Sequence, residues 1–229
     1  MSTETDINSI GIIIDGNRRW ARARGLPTIA GHHAGFEALR TLIEELPRLK
    51  RDYGIMWATI YTFSTENWNR SSDEVSYLMK IFKDSFKEIA ESVGNTRVRF
   101  IGQRERFSEE LQQLMHEVES KTAQNTGVTV SFALSYGGRA DLLNAIQKLR
   151  ESDDPLDEAT LSGALSTAGI PDPDLIVRTS GEQRLSNFLP WESVYSELFF
   201  TDTLWPNFTV EELERIFTEF QARERRRGK

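Results

Sequence analysis

A single α/β domain, with a central and mainly parallel sheet surrounded by helices, is the fold class that the sequence predicts. Short apolar runs alternate with longer segments of helical period, the order expected when helices serve as crossovers between parallel strands. The 229 residues contain no internal repeat, low-complexity tract or Pro/Gly-rich linker, so residues 1–229 read as one domain. That length is enough to bury a substantial core.

The polar and acidic start, residues 1–8, is expected to be disordered, and the first strand is Ile10–Ile14. Phe36, Leu39, Leu42, Ile43, Leu46 and Leu49 then form an apolar stripe at helical spacing, which Pro47 is expected to end or kink. Met56–Phe63 is the second strand. Ser71-Ser72-Asp73-Glu74 has the Ser-x-x-Glu capping pattern and opens a helix through Leu78, Ile81, Phe82, Phe86 and Ile89 to about Ser92. Val98–Ile101 and Val128–Leu134 are strands. Between them Ser108 to about Thr122 reads as a helix, with Glu109 and Glu110 suited to its positive end. Helices are expected at Ala140–Arg150 and Glu158–Ala168, and a fifth strand at Leu175–Val177. Thr209-Val210-Glu211-Glu212 caps a last helix that runs into arginines, where the dipole favours cations.

Composition narrows the function. No stretch approaches the ~20 apolar residues of a membrane span. The start lacks the basic and apolar regions of a secretory signal, so a cytoplasmic protein is the default. The absence of cysteine excludes disulfides, thiolate catalysis and thiolate metal sites. A net charge of −7 argues against nucleic acid as a partner, because such binders carry a basic surface. The arginines nevertheless cluster, four from Arg18 to Arg24, two at Arg178 and Arg184, and four from Arg223 to Arg227. Local clusters on an acidic protein suit small phosphate ligands, although any one cluster alone reads as solvated surface charge.

Ligands of such sheets sit at the carboxyl ends of strands. After the first strand stands Asp15-Gly16-Asn17-Arg18-Arg19-Trp20, a carboxylate and a flexible residue before a helix start. The segment suits Mg²⁺ and a phosphate, and equally a helix-capping Asp followed by surface arginines. The second strand runs into Ser64-Thr65-Glu66-Asn67-Trp68-Asn69-Arg70, whose polar groups and flanking aromatics suit an oxygen-rich head and an apolar tail. The plainer reading is a turn, with Trp68 at the core edge. After the fifth strand, Arg178, Arg184, Leu185 and Ser186 follow across a Gly turn, and the two arginines can clamp a diphosphate. Three such segments of one sheet should converge.

Together the segments DGNRRW (15–20), Gly31-His32 with Ala34-Gly35, YTFSTENWNR (61–70), YGGRA (136–140), PDPDLIVRTSGEQRLSNF (171–188), YSEL (195–198) and FTDTLWP (200–206) resemble the cis-prenyltransferases of the undecaprenyl diphosphate synthase type. The match covers nearly the whole chain. The resemblance implies six parallel strands and a hydrophobic tunnel for a growing isoprenoid. It implies Mg²⁺ as cofactor, Asp15 binding it and aiding departure of the allylic diphosphate, and Glu197 completing the metal site. Gly16, Asn17, Arg18 and Arg19 would cradle that diphosphate, with Trp20, His32, Ser64, Thr65, Glu66, Trp68 and Arg70 around it. Arg178, Arg184, Leu185 and Ser186 would hold isopentenyl diphosphate. Asn67 would stand near the departing proton, and because a carboxamide is not basic its role would be positioning or relay. The tail Arg226-Arg227-Gly228 resembles one that reaches a partner subunit, implying a homodimer.

Three residues depart from the common bacterial pattern: Arg18 where many members have Gly, Thr28 where an arginine often grips the diphosphate, and Thr62 where Ala is common. Product length therefore stays open. The rival readings are a phosphohydrolase with Asp15 as nucleophile, whose usual second acid is replaced by Asn17, and a non-catalytic partner subunit. His33 beside His32 makes no convincing metal pair, since adjacent helical residues point apart. His116 reads as solvated. Phe82, Phe86 and Ile89 read as core, part of which could line the tunnel. Any membrane contact would be transient, for no obvious amphipathic anchor is present.

Overall fold

Ser9–Ile13 is a run of five buried residues, and burial on both faces places it inside a sheet covered by helices on each side. It is β1 of six strands in the computed structural model, which describes residues 7–92 and 94–223. The others are β2 (Trp57–Ser64), β3 (Arg97–Ile101), β4 (Thr129–Tyr136), β5 (Leu175–Arg178) and β6 (Glu197–Phe200). All pairings are parallel, in the order β3-β4-β2-β1-β5-β6. The helices are α1 (Asn17–Ala23), α2 (Thr28–Tyr53), α3 (Ser72–Ser92), α4 (Glu109–Thr122), α5 (Gly138–Arg150), α6 (Glu158–Ala164) and α7 (Val210–Ala222).

The expected α/β class, its single parallel six-stranded sheet and its helical cover are all present. Capping residues act where the sequence placed them. The Ser71 hydroxyl accepts from Glu74 N and Thr209 from Glu212 N, and the Ser108 hydroxyl, not anticipated as a cap, accepts from Leu111 N. Differences have local causes. Pro47 neither ends nor splits α2, which runs on for six residues to Tyr53 and stops at Gly54, φ 86°. The proline lacks an N–H, but buried Leu46 and Leu49 on either side tie this turn to the core. Helix α6 stops at Ala164, four residues early, because Leu165 turns to an extended backbone (φ −66°, ψ 158°). Ile7 is fully buried and Asn8 N donates to Asp174, so order begins inside the stretch 1–8 expected to be disordered. Residues 1–6 and the tail Arg226-Arg227-Gly228 lie outside the described residues.

The larger core cluster joins one face of the sheet to α2, α3, α4 and α7. Its aromatic spine runs from Phe63 through Phe82, Phe86 and Phe100 to Phe132, with neighbouring centroids 4.6–5.9 Å apart or stacked at 6.1 Å. Topology then places the site. The chain steps from β1 to β2 on one side, and from β4 it crosses to β5 on the other side of β1. Strands β1 and β5 thus flank the point where winding reverses, and crevices open outside their carboxyl ends.

Candidate active site

Ile13 lies in register with Arg178, which brings Asp15 and the loop after β5 to one crevice. The Thr179 side chain pins the turn: its hydroxyl donates to Asp15 O at 2.7 Å and accepts from Asp15 N at 2.9 Å. Arg178, 4% exposed, donates from Nη2 to Asp15 Oδ2 at 3.0 Å and from Nη1 to Ser186 Oγ at 2.8 Å and to Arg184 O. Arg19 reaches the same Asp15 oxygen at 3.4 Å. Burial pushes the Asp15 carboxyl up, but Arg178 and Arg19 outweigh it and hold the group below the usual carboxylate range. Asp15 is therefore an ionised, hard oxygen donor at the crevice.

Gly16 follows with φ 114°, a conformation that side chains rarely adopt. Asn17 then packs on α2 through two glycines one turn apart: a Cβ on Gly31 would lie 2.0 Å from Asn17 O, and one on Gly35 2.3 Å from Asn17 Oδ1. This close approach docks α1, with its arginines, beside Asp15. Left-handed backbone recurs in the facing loop at Ser180, Ser186 and Asn187, with φ of 81°, 48° and 69°. Such conformations cost about 1–3 kcal/mol each and persist where surroundings enforce them.

A cavity of about 530 Å³ opens here, with two chemically different ends. Asp15, Asn17, Arg18, Arg19, Arg70 and Arg178 give it a polar, cationic mouth, joined by Gly16, His32, Ser64, Asn67 and Ser186. Phe36, Leu39, Leu78, Ile81 and Phe82 wall its apolar end between α2 and α3. Phe82 thus lines the cavity, whereas Phe86 and Ile89 pack with the core. Thr62 also lines it, its hydroxyl donating back to Ile60 O. Buried Arg178 Nε has no partner among the described residues, which suits a donor awaiting an anionic ligand.

Asn67 lines the cavity while its Oδ1 accepts from Ser64 N at 3.1 Å, so its NH₂ is the end left to meet a ligand. The other anticipated residues are set further back. Trp20 donates to Asn207 Oδ1 at 2.7 Å and lies under Arg24. Trp68 donates to Ser135 Oγ and packs on Phe63 and Phe107, the core-edge position. Thr65 bonds Glu66, which accepts from Asn187 at 3.4 Å. Arg184 is exposed and paired with Glu182, and Leu185 packs on the smaller core cluster.

Glu197 stands apart from Asp15 within one chain. It begins β6 in register with Leu175, at the opposite end of the sheet from Asp15, three residues or roughly 10 Å down the strand from the Arg178 level. Within one chain it completes no site with Asp15. Arg223 holds it at 2.8 Å instead. Among the described residues no three His, Cys, Asp or Glu side chains gather in a metal cluster.

Two residues escaped the sequence reading. Glu74 accepts from Arg70 and meets His32 Nε2, both at 3.0 Å, with Arg18 at 3.9 Å. Burial pushes its carboxyl up, yet His32, Arg70 and Arg18 together hold it below the usual range. Burial keeps His32 neutral by lowering its pKa, only partly offset by Glu74. The capping pattern absorbed Glu74; its spacing four residues after Arg70 was the available signal. Arg22, one turn beyond Arg18 and exposed, lines the cavity mouth.

Comparison with known proteins agrees with this geometry. The family model for undecaprenyl diphosphate synthase matches residues 13–228. The isoprenyl transferase of Aquifex aeolicus is 45% identical over 224 residues, covering 96% of this chain and 95% of its own. That of Neisseria gonorrhoeae is 44% identical over 223 residues, covering 96% and 88%. Among solved structures, lavandulyl diphosphate synthase from Lavandula x intermedia, in complex with dimethylallyl diphosphate, superposes with a TM-score of 0.92 at 34% identity, covering 99% of this chain and 100% of its own. A probable undecaprenyl diphosphate synthase from Campylobacter jejuni gives 0.82 at 30%, covering 100% of both. Strand-end carboxylate, arginine-lined mouth and apolar pocket thus occur in a chain that belongs to the undecaprenyl diphosphate synthase family and is a cis-prenyltransferase.

Proposed function

We propose that the enzyme adds isopentenyl diphosphate, in successive cis condensations, to an allylic diphosphate such as farnesyl diphosphate, giving a polyprenyl diphosphate such as undecaprenyl diphosphate. The observation that carries this reading is the two-ended cavity, with a cationic mouth for diphosphates continuous with an apolar wall for the chain. Asn17, Arg18, Arg19, His32 and Arg70 would hold the allylic diphosphate. Arg178 and Ser186, already joined, would hold that of isopentenyl diphosphate, with Arg184 free to swing in from its exposed pair.

The donor set fits Mg²⁺. Asp15 is an ionised carboxylate, and since no cluster of three candidate ligands surrounds it among the described residues, diphosphate and water oxygens would complete the shell, as this ion favours. Bound there, Mg²⁺ would supply charge neutralisation for the leaving diphosphate. The chain's own groups do the rest. The arginines stabilise charge developing on the leaving oxygen. The apolar wall shields the allylic cation from water while the isopentenyl double bond attacks it. Asn67 orients the complex through its NH₂. Because a carboxamide is not basic, the lost proton is assigned to a diphosphate oxygen rather than to Asn67.

A homodimer is part of the proposal. Strand β6 is the sheet edge, and beside it Val194 and Tyr195 are 68% and 76% exposed, an apolar edge a second copy would cover. A shorter product is the second reading, favoured by the 530 Å³ cavity with Thr62 in its wall.

The test is to incubate the enzyme with farnesyl diphosphate, labelled isopentenyl diphosphate and Mg²⁺, with and without chelator, after weighing the particle by light scattering. A chelator-sensitive ladder of products from a two-chain particle is expected, and its length separates the two readings. No transfer from farnesyl, geranyl or dimethylallyl diphosphate would overturn the proposal, and a one-chain mass would overturn the dimer.

The smaller core holds a titratable group that bears on stability. Glu192 is 6% exposed; its Oε1 accepts from Thr167 at 2.5 Å and its Oε2 has no partner among the described residues. Burial pushes its carboxyl up by more than the Thr167 bond and its own backbone N–H offset, and Asp141 and Asp172 add smaller upward pushes. Folding therefore retains a proton that the unfolded chain releases near pH ~4.3. The stabilisation is full below that pH and is lost as pH rises through the folded-state value. Urea midpoints of the wild type relative to Glu192→Gln should fall across this window, since Gln cannot ionise. A constant difference would refute the assignment.

A further inference from the structure

The turn from α1 to α2 combines charge and apolar exposure in a way the condensation does not require. From Gly16 to Phe36 the chain has four arginines and no carboxylate, within a protein of net charge −7. Arg18 and Arg19 are engaged at the site. Arg22 and Arg24 are exposed and meet no carboxylate among the described residues. Arg24 lies 4.1 Å over the Trp20 ring and donates to Asn207, which presents its charge at the surface. Leu26 and Ile29, immediately beyond, are 43% and 41% exposed. The turn is firmly built: Arg24 N and Leu26 N both donate to Ala21 O, Gly25 N donates to Arg22 O, and Gly25 takes φ 65°. Two large apolar side chains are thus held outward beside two unpaired cations, at the rim of the cavity that Arg22 lines.

Cations beside projecting apolar groups match the headgroup layer of an anionic bilayer. Headgroup phosphates attract guanidinium groups, and the acyl boundary takes the apolar side chains. A nucleic acid would satisfy the arginines but not Leu26 and Ile29. We propose that the α1–α2 turn docks the enzyme on an anionic lipid bilayer, with Arg22 and Arg24 against phosphates and Leu26 and Ile29 in the interface. The docking rests on the reading above, in that a long isoprenoid product needs an apolar phase beside the mouth from which it leaves. Two arginines at about fivefold each, opposed by the protein's negative charge, give weak and salt-sensitive binding.

Vesicle sedimentation tests the surface without substrate. Wild-type protein should sediment with phosphatidylcholine vesicles containing phosphatidylglycerol, but not with phosphatidylcholine alone, and high salt should release it. Leu26→Ser/Ile29→Ser should weaken binding at least about tenfold, and Arg24→Glu about fivefold or more. Absence of binding to anionic vesicles at low salt, or undiminished binding by the double variant, would overturn the proposal. Prenyl transfer in detergent, measured on the same proteins, keeps the two readings separable. The double variant should retain it. Failure of transfer in every protein would sink the activity assigned above while leaving the vesicle result to stand.

Discussion

Replacing Asp15 by Asn should reduce kcat/KM for prenyl transfer by about 10²–10³, the usual cost of removing one preorganised electrostatic group from a reacting centre. The substitution keeps the size of the side chain and an oxygen that can accept from Arg178 and Arg19. It removes the negative charge that qualifies Asp15 as a metal ligand. Because Arg178 retains Ser186 and Arg184 as partners, loss of its ion pair should leave the fold standing, with a lowered melting temperature. The decisive comparison is between activity and Mg²⁺ response. The variant should need more Mg²⁺ for its residual rate, and its melting curve should remain a single cooperative step. Activity within tenfold of the wild type would remove Asp15 from the reaction and leave it only the structural role of pairing with Arg178 and Arg19.

Most of the architecture was legible because its signals are local. β1, β2 and β4 are apolar runs long enough to mark buried parallel strands, and two helix starts are legible as a hydroxyl three residues before an N–H it accepts from. β6 escaped the pattern reading and entered only through the family resemblance. Its four residues are an edge strand, with Glu197 half-buried and Leu198 exposed, so the sequence shows no continuous buried run. The continuation of α2 past Pro47 was equally hidden, since the core contacts that hold it come from residues distant in sequence.

The site divides the same way. Residues at the carboxyl ends of strands, Asp15 and Arg178, are legible because topology alone brings strand ends together. Residues whose role depends on a neighbouring element are harder to place. Glu197, which the resemblance assigns to the metal site, lies within one chain at the other end of its strand from Asp15, a separation only the strand register reveals. Glu74 was read only as a cap, though it gathers His32, Arg70 and Arg18 from three elements. No spacing rule within one segment reveals such a contact.

The glycines of α2 show how packing outside the chemistry controls it, and Gly31→Ala should be among the most damaging small changes in the protein. A methyl group there would stand 2.0 Å from the carbonyl oxygen of Asn17 and 2.8 Å from its carbonyl carbon. Backbone cannot yield as the end of a side chain can, so α1 must move away from α2. Overpacking of this kind costs about 1–3 kcal/mol. The larger consequence is geometric, because α1 carries Arg18 and Arg19, and Asn17 begins it directly after Asp15 and Gly16. A displacement of about 1 Å in such positioning groups lowers rates by about 10²-fold. Activity should therefore fall further than stability predicts, with folded protein still present below the new melting temperature. Gly163→Ala, in α6 where an added methyl meets nothing within 4 Å, is the matched control and should leave the rate unchanged and the stability equal or slightly raised. If Gly31→Ala lost stability but kept its rate at temperatures where it is folded, the close contact would serve the core alone, and the arginines of α1 would not be holding the substrate.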